Sequence, residues 1–158
     1  MAVSESRAAG DTRHRVSYPN SRPRAIKLFG LGEGGRRIAE AIAGRGLGHV
    51  EAIAAPAGST DMQQATVDED SAIGRAIREA DIVFLVAQDG DNVAFAPAIG
   101  QMAHRKGVLV TGMLIQKRDA GSHVPDSTLS ALRSASDMLV MVTDTDYVAE
   151  MLGALGVA

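Results

Sequence analysis

A short apolar run, Ala25-Ile26-Lys27-Leu28-Phe29, stops at the glycine cluster Gly30-Leu31-Gly32-Glu33-Gly34-Gly35. Beyond it Ile38, Ala39, Ile42 and Ala43 recur at helical spacing until Gly44 and Gly46 end the pattern. Strand, glycine turn and helix in that order make half of a βαβ unit. In this setting the Gly30-x-Gly32-x-x-Gly35 spacing has a mechanism, because a turn without side chains lets a phosphate approach the backbone N–H groups at the helix N-terminus. The alternative is that glycine here only permits a tight turn and close helix packing.

The rest of the chain repeats the alternation. Residues 50–55 read as a second strand closed by Pro56-Ala57-Gly58-Ser59, and 70–79 as a helix with Ile73, Ala76 and Ile77 on one face. The nearly unbroken apolar run 81–87 is the signature of a central parallel strand covered on both faces. A polar loop at 88–92 leads into a helix at 95–105 with Pro97 in its first turn, where a missing N–H costs little. Strands at 108–115 and 138–142 and helices at 127–134 and 147–155 complete the set, the former helix capped by Asp126 or Ser127 and the latter closed by Gly156. Five strands alternating with helices predict an α/β three-layer Rossmann-like sandwich with a mostly parallel five-stranded sheet. It occupies residues 26–158, after a basic, disordered tail at 1–25.

Composition removes several classes. With 158 residues and no cysteine the chain has room for one domain and no thiol nucleophile, iron–sulfur cluster or thiolate zinc site. No apolar run approaches the ~20 residues that span a bilayer, and 1–20 lacks a secretory signal, so a cytoplasmic protein without membrane contact is expected. Residues 1–25 carry five arginines against Glu5 and Asp11, a net +3, whereas 26–158 carry 11 basic and 17 acidic groups, a net −6. An acidic body with 3% aromatic residues argues against a nucleic-acid partner. His49, His104 and His123 fall in a turn, on a helix and in a loop, no spacing joins them to a nucleophile, and they read as surface residues. Met102, Met113, Met138, Met141 and Met151 fit core or helix-contact positions.

A dinucleotide-binding fold places Asp or Glu at the end of the second strand to hold the ribose, and here that place holds Ala54-Ala55-Pro56. An NAD(P)- or flavin-binding protein is therefore a minority reading. The stretch 26–35 resembles instead the first strand and phosphate loop of the FtsZ branch of the tubulin superfamily. The segment AAPAGSTDMQQA at 54–65 is similar to that family's region after its second strand, where a Thr-Asp pair precedes a short helix. The pieces 80–84, Ala96-Pro97-Ala98-Ile99, 108–113 and 132–144 continue the resemblance in the same order, so that it covers 26 to about 155. It implies the fold of that family's N-terminal nucleotide-binding domain, with GTP or GDP and Mg²⁺ as ligands.

The departures bear on activity. The family's GGGTGTG-type loop, which wraps the phosphates, is replaced by Gln88-Asp89-Gly90-Asp91-Asn92-Val93-Ala94-Phe95. Carboxylates about 4–6 Å from a triphosphate repel it by several kcal/mol when partly desolvated. Glu33 adds another negative charge, and the guanine-recognising helix and activating second domain that the resemblance implies have no counterpart in these residues. The expected function is a pseudo-GTPase: a binding or regulatory module that holds a nucleotide or other anion weakly, without hydrolysis coupled to polymerisation. An enzyme acting on a phosphorylated or nucleotide substrate, with metal at Asp89 and Asp91, is the alternative. A third possibility for that loop is a turn in which Asp and Asn satisfy their own backbone. The candidate anion- or nucleotide-binding residues are Gly30, Gly32, Glu33, Gly34, Gly35, Arg37, Ser59, Thr60, Asp61, Asp89, Asn92, Thr143 and Asp144. No catalytic residue is assigned. A homodimer formed through uncovered sheet surface, or another protein partner, is expected.

Overall fold

The computed structural model describes residues 24–55, 67–116 and 126–155. The basic tail apart from Arg24 and Ala25, the candidates Ser59, Thr60 and Asp61, and His123 lie outside the described residues. Strands β1 (Ile26–Gly30), β2 (Val50–Ala54), β3 (Ile82–Gln88), β4 (Leu109–Ile115) and β5 (Met138–Val142) alternate with helices α1 (Gly32–Ala43), α2 (Ala72–Glu79), α3 (Ala96–Arg105), α4 (Asp126–Ala135) and α5 (Thr145–Leu155). The sheet order is β2-β1-β3-β4-β5 and every neighbouring pair is parallel. This is the three-layer α/β sandwich that the alternation predicts. Among the described residues no helix is long and apolar enough to cross a membrane.

Period-two alternation along the inner strands feeds two cores. Ile26, Leu28, Phe84, Val86, Met113 and Ile115 face α1 and α5, which contribute Ile38, Ile42, Val148 and Leu152. Phe29, Val83, Leu85, Val110 and Leu114 face α2, α3 and α4, which contribute Ile73, Ile77, Ile99, Met102 and Leu132. Each such side chain contributes roughly 1.5–3 kcal/mol by leaving water, which explains why β1 and β3, buried on both faces, read as continuous apolar runs. Lys27 interrupts the β1 run and is nevertheless buried, because Glu51, its register neighbour on β2, and Glu79 at 3.8 Å on α2 take its charge.

Helix α5 starts beyond the carboxyl end of β5 and ends where the His49 Nε2–H donates to the Leu152 carbonyl at 2.8 Å. It thus runs diagonally back over the inner strands and leaves the amino end of β4 and β5 bare. Leu109 is 64% exposed and Met138 55%. The core or helix-contact positions expected for Met138 and Met141 are corrected here: β5 is an edge strand among the described residues, and both side chains reach solvent. Met102 and Met113 are in the cores as expected. His49 is half-buried rather than on the surface, since its ring holds the end of α5.

Asp137 fastens the start of β5. Its Oδ2 accepts from the Val110 N–H at 2.8 Å and lies 3.0 Å from His104 Nε2, while its own N–H donates to the Val110 carbonyl. The Val110 hydrogen bond, and after it the His104 ring, hold the Asp137 carboxyl below its ordinary value. A carboxyl whose pKa is depressed by folding stabilises the fold above its unfolded pKa and loses that contribution as pH falls through the folded value. Asp137→Asn is expected to cost about 1 kcal/mol near neutrality. The difference from wild type should shrink below the usual carboxylate range, as measured by urea unfolding at several pH values; an undiminished difference at acid pH would refute the assignment.

Candidate functional site

The residues that converge at the carboxyl edge of the sheet are those of the β1–α1 and β3–α3 connections. After Gly30 the chain turns at once: the Leu31 N–H donates to the Val86 carbonyl at 2.8 Å and Gly32 takes a left-handed φ of +69°. Helix α1 begins there, three residues earlier than the end of the glycine cluster, so Gly34 and Gly35 lie in its first turn. Its N-cap, Leu31, has no side chain able to accept a hydrogen bond, which leaves the first-turn N–H groups in need of an acceptor.

The acceptor comes from the other connection. Residues 88–91 form a tight turn in which the Asp91 N–H donates to the Gln88 carbonyl at 3.0 Å, with Gly90 supplying the positive φ of +86° that the turn requires. This turn aims the Asp91 side chain at α1. Its Oδ1 accepts from the Gly34 N–H at 2.8 Å and its Oδ2 from the Gly35 N–H at 2.8 Å, while Oδ2 also accepts from the Gln88 N–H at 2.7 Å. A carboxylate thus sits on the N–H groups and positive dipole end where a phosphate would bind. It caps the helix from 57 residues away in sequence.

The glycines fit this carboxylate closely. A Cβ on Gly32 would come within 2.6 Å of the Asp91 Cβ, and one on Gly34 within 2.7 Å of the Gln88 Cβ and 2.8 Å of Asp91 Oδ2. A Cβ on Gly35 would collide with the Val86 carbonyl, and one on Gly30 with the Gly35 carbonyl. The motif therefore serves two purposes: Gly30 and Gly35 let β1, β3 and α1 pack closely, and Gly32 and Gly34 make room for the 88–92 turn.

The remaining candidates are distributed around this centre. Asn92 Oδ1 accepts from the Ala94 N–H at 2.9 Å, an Asx turn that leads into α3. Glu33 points away from the cradle, where Arg36 donates to it at 2.7 Å and Arg37 lies 3.5 Å away. The Arg36 hydrogen bond and charge hold the Glu33 carboxyl below its ordinary value. Arg37 is exposed on the same turn. Thr143 and Asp144 follow β5, two strands from β3 and so about 10 Å along the same edge. Asp144 Oδ1 accepts from the Asp146 N–H at 2.9 Å and starts α5.

For Mg²⁺, Asp91 would have to give up oxygens that already accept from three N–H groups, and among the described residues no group of three or more His, Asp or Glu side chains is placed to hold a metal ion. Gln88 is a site residue that the sequence does not single out. Its N–H donates to Asp91 Oδ2 and its side chain fills the space that a Cβ on Gly34 would need, and a position at the end of an apolar strand gives no hint of this.

No family model matches the chain, and no curated protein does.

Proposed function

We propose that this chain is an FtsZ-like pseudo-GTPase, a non-catalytic binding module whose phosphate cradle is held closed by its own Asp91. The observation that carries the reading is the contact of both Asp91 carboxylate oxygens with the Gly34 and Gly35 N–H groups. The carboxylate stands in for the anion, as a charge-assisted acceptor at a helix N-terminus. An incoming phosphate has to displace it. If the three N–H contacts together are worth about 3 kcal/mol, the apparent affinity for a phosphate falls by about two orders of magnitude relative to an open cradle. The same carboxylate would then lie beside the bound anion and repel it, which further disfavours a triphosphate.

Thermal melts with GTP, GDP, NAD, NADP and FMN, each with and without Mg²⁺, test this reading. A ligand present at a hundredfold its dissociation constant stabilises a fold by about 2.7 kcal/mol and raises the midpoint by several degrees. Wild type is expected to show no such rise with any of the five at millimolar concentration. Mg²⁺-dependent protection by GTP would refute the closed cradle, and protection by NAD, NADP or FMN would favour a dinucleotide-binding protein.

A further inference from the structure

The outer edge of β5 differs from the other sheet edge in its chemistry. The opposite edge strand, β2, carries Glu51, whereas β5 reads Met138-Leu139-Val140-Met141-Val142 with no charge and no proline. Edge strands are ordinarily guarded by such residues, since their unpaired N–H and C=O groups invite another strand. Val142 gives its carbonyl to the N–H of Gln116, the residue that follows β4, and so turns its backbone groups toward that strand. Backbone groups alternate in direction along a strand, so those of Leu139 and Met141 point outward.

A cavity of about 360 Å³ runs beside this edge, lined by Val140, Met141, Val142, Thr143, Asp144 and Tyr147. Successive strand residues face opposite sides of a sheet, so a cavity touching four in a row lies along the edge and not on a face. Tyr147, at the start of α5, closes its carboxyl end at 47% exposure, and Leu109 and Met138, 64 and 55% exposed, stand at the amino ends of β4 and β5.

We propose that a second copy of this chain docks here, its β5 pairing antiparallel with the first about a two-fold axis through Val140. The register aligns the whole strand with itself. Leu139 and Met141 of one copy exchange both N–H···O bonds with Met141 and Leu139 of the other, using the outward groups, while Val140 meets Val140 in a non-hydrogen-bonded pair. Met138 then stands opposite Val142 of the second copy, so the exposed methionine fills the cavity bounded by Val142 and Tyr147. This is the self-complementary arrangement that a two-fold contact demands. Charges agree as well: Asp137 faces Thr143 and Asp144 faces Ser136, so no carboxylate opposes another. The contact places the partner strand three strand spacings, about 14 Å, from β3 at the Asp91 cradle and uses none of the cradle's residues.

Light scattering on the full chain at tens of micromolar should give about twice the 16.4 kDa chain mass. Met141→Pro removes an outward N–H that no described strand uses, and proline is tolerated at such edge positions. It should yield the monomer mass with an unchanged far-ultraviolet spectrum. Because the chain contains no cysteine, Val140→Cys offers a test that does not depend on Met141→Pro folding. The non-hydrogen-bonded pair brings the two Cα atoms to about 4.5 Å, within disulfide reach. Under mild oxidation Val140→Cys should cross-link at least tenfold faster than Ala41→Cys, which is exposed on α1. A monomer mass for wild type at tens of micromolar, or equal cross-linking at the two positions, would overturn the proposal; an edge that receives a different protein's strand would give that result.

Discussion

Gly35→Ala is expected to be among the most damaging single-methyl changes in the described residues. The added Cβ would fall far inside the 3.0 Å that real Cβ atoms keep from the Val86 carbonyl, and 3.1 Å from the Gly30 carbonyl carbon. Both neighbours are backbone in strands buried at the centre of the sheet, so neither can swing aside as a side-chain tip would. Relief requires α1 to move off β1 and β3, which separates Ile38 and Ile42 from their core and pulls Gly34 away from Asp91. A cost of about 3 kcal/mol or more follows, a large share of the 5–15 kcal/mol that a domain of this size has in total. Urea unfolding measures it. Gly153→Ala is the control: that glycine lies within α5, its Cβ would meet nothing within 4 Å, and alanine there should stabilise by about 0.5–1 kcal/mol. A Gly35→Ala variant within 1 kcal/mol of wild type would show that the strand-to-helix packing is not as tight as the geometry requires.

Asp91→Ala carries the second large effect. It removes the acceptor of three backbone N–H groups, two of them in the first turn of a helix with no side-chain cap of its own. Charge-assisted bonds of this kind contribute about 1.5–3 kcal/mol each when fully buried, and less where water can replace the acceptor, as at this half-buried position. A net loss of about 3 kcal/mol, or roughly 10 °C in melting midpoint, is the expected result. Asp91→Asn should recover little of it. The wild-type donors are divided between both oxygens, so an amide must turn its NH₂ toward at least one N–H. Millimolar inorganic phosphate should restore part of the stability to Asp91→Ala and none to wild type. That pattern separates a carboxylate acting in place of an anion from one that only packs well.

Much of the fold is legible in the sequence, because a buried parallel sheet writes itself as apolar runs. The run at 81–87 and the observed strand Ile82–Gln88 differ by one residue, and the helix at 95–105 begins one residue later than its apolar spacing suggests. Boundaries shift where a side chain caps locally: Ser71 accepts from the Gly74 N–H at 3.1 Å and starts α2 at Ala72, and Asp144 starts α5 at Thr145, ahead of the first apolar residue. The glycine motif is legible as a helix N-terminus built for an anion. Which anion fills it is not, because the answer is a contact between residues 34 and 91 that no local periodicity encodes. The sequence shows carboxylates near the cradle and suggests repulsion of a ligand. In the fold one of those carboxylates enters the cradle and becomes the ligand. Met138 and Met141 escape sequence reasoning for a related reason, since an edge strand and a central strand have the same apolar pattern.

The most direct measurement is a titration of the ¹⁵N-labelled chain with Mg²⁺–GTP, followed at the Gly34 and Gly35 amide resonances. With Asp91 seated on both N–H groups, neither resonance should move up to millimolar nucleotide, while both should move at once in Asp91→Ala. Saturable shifts of the two amides in the wild-type protein would mean that the cradle is open to phosphate, and that its carboxylate does not hold it closed.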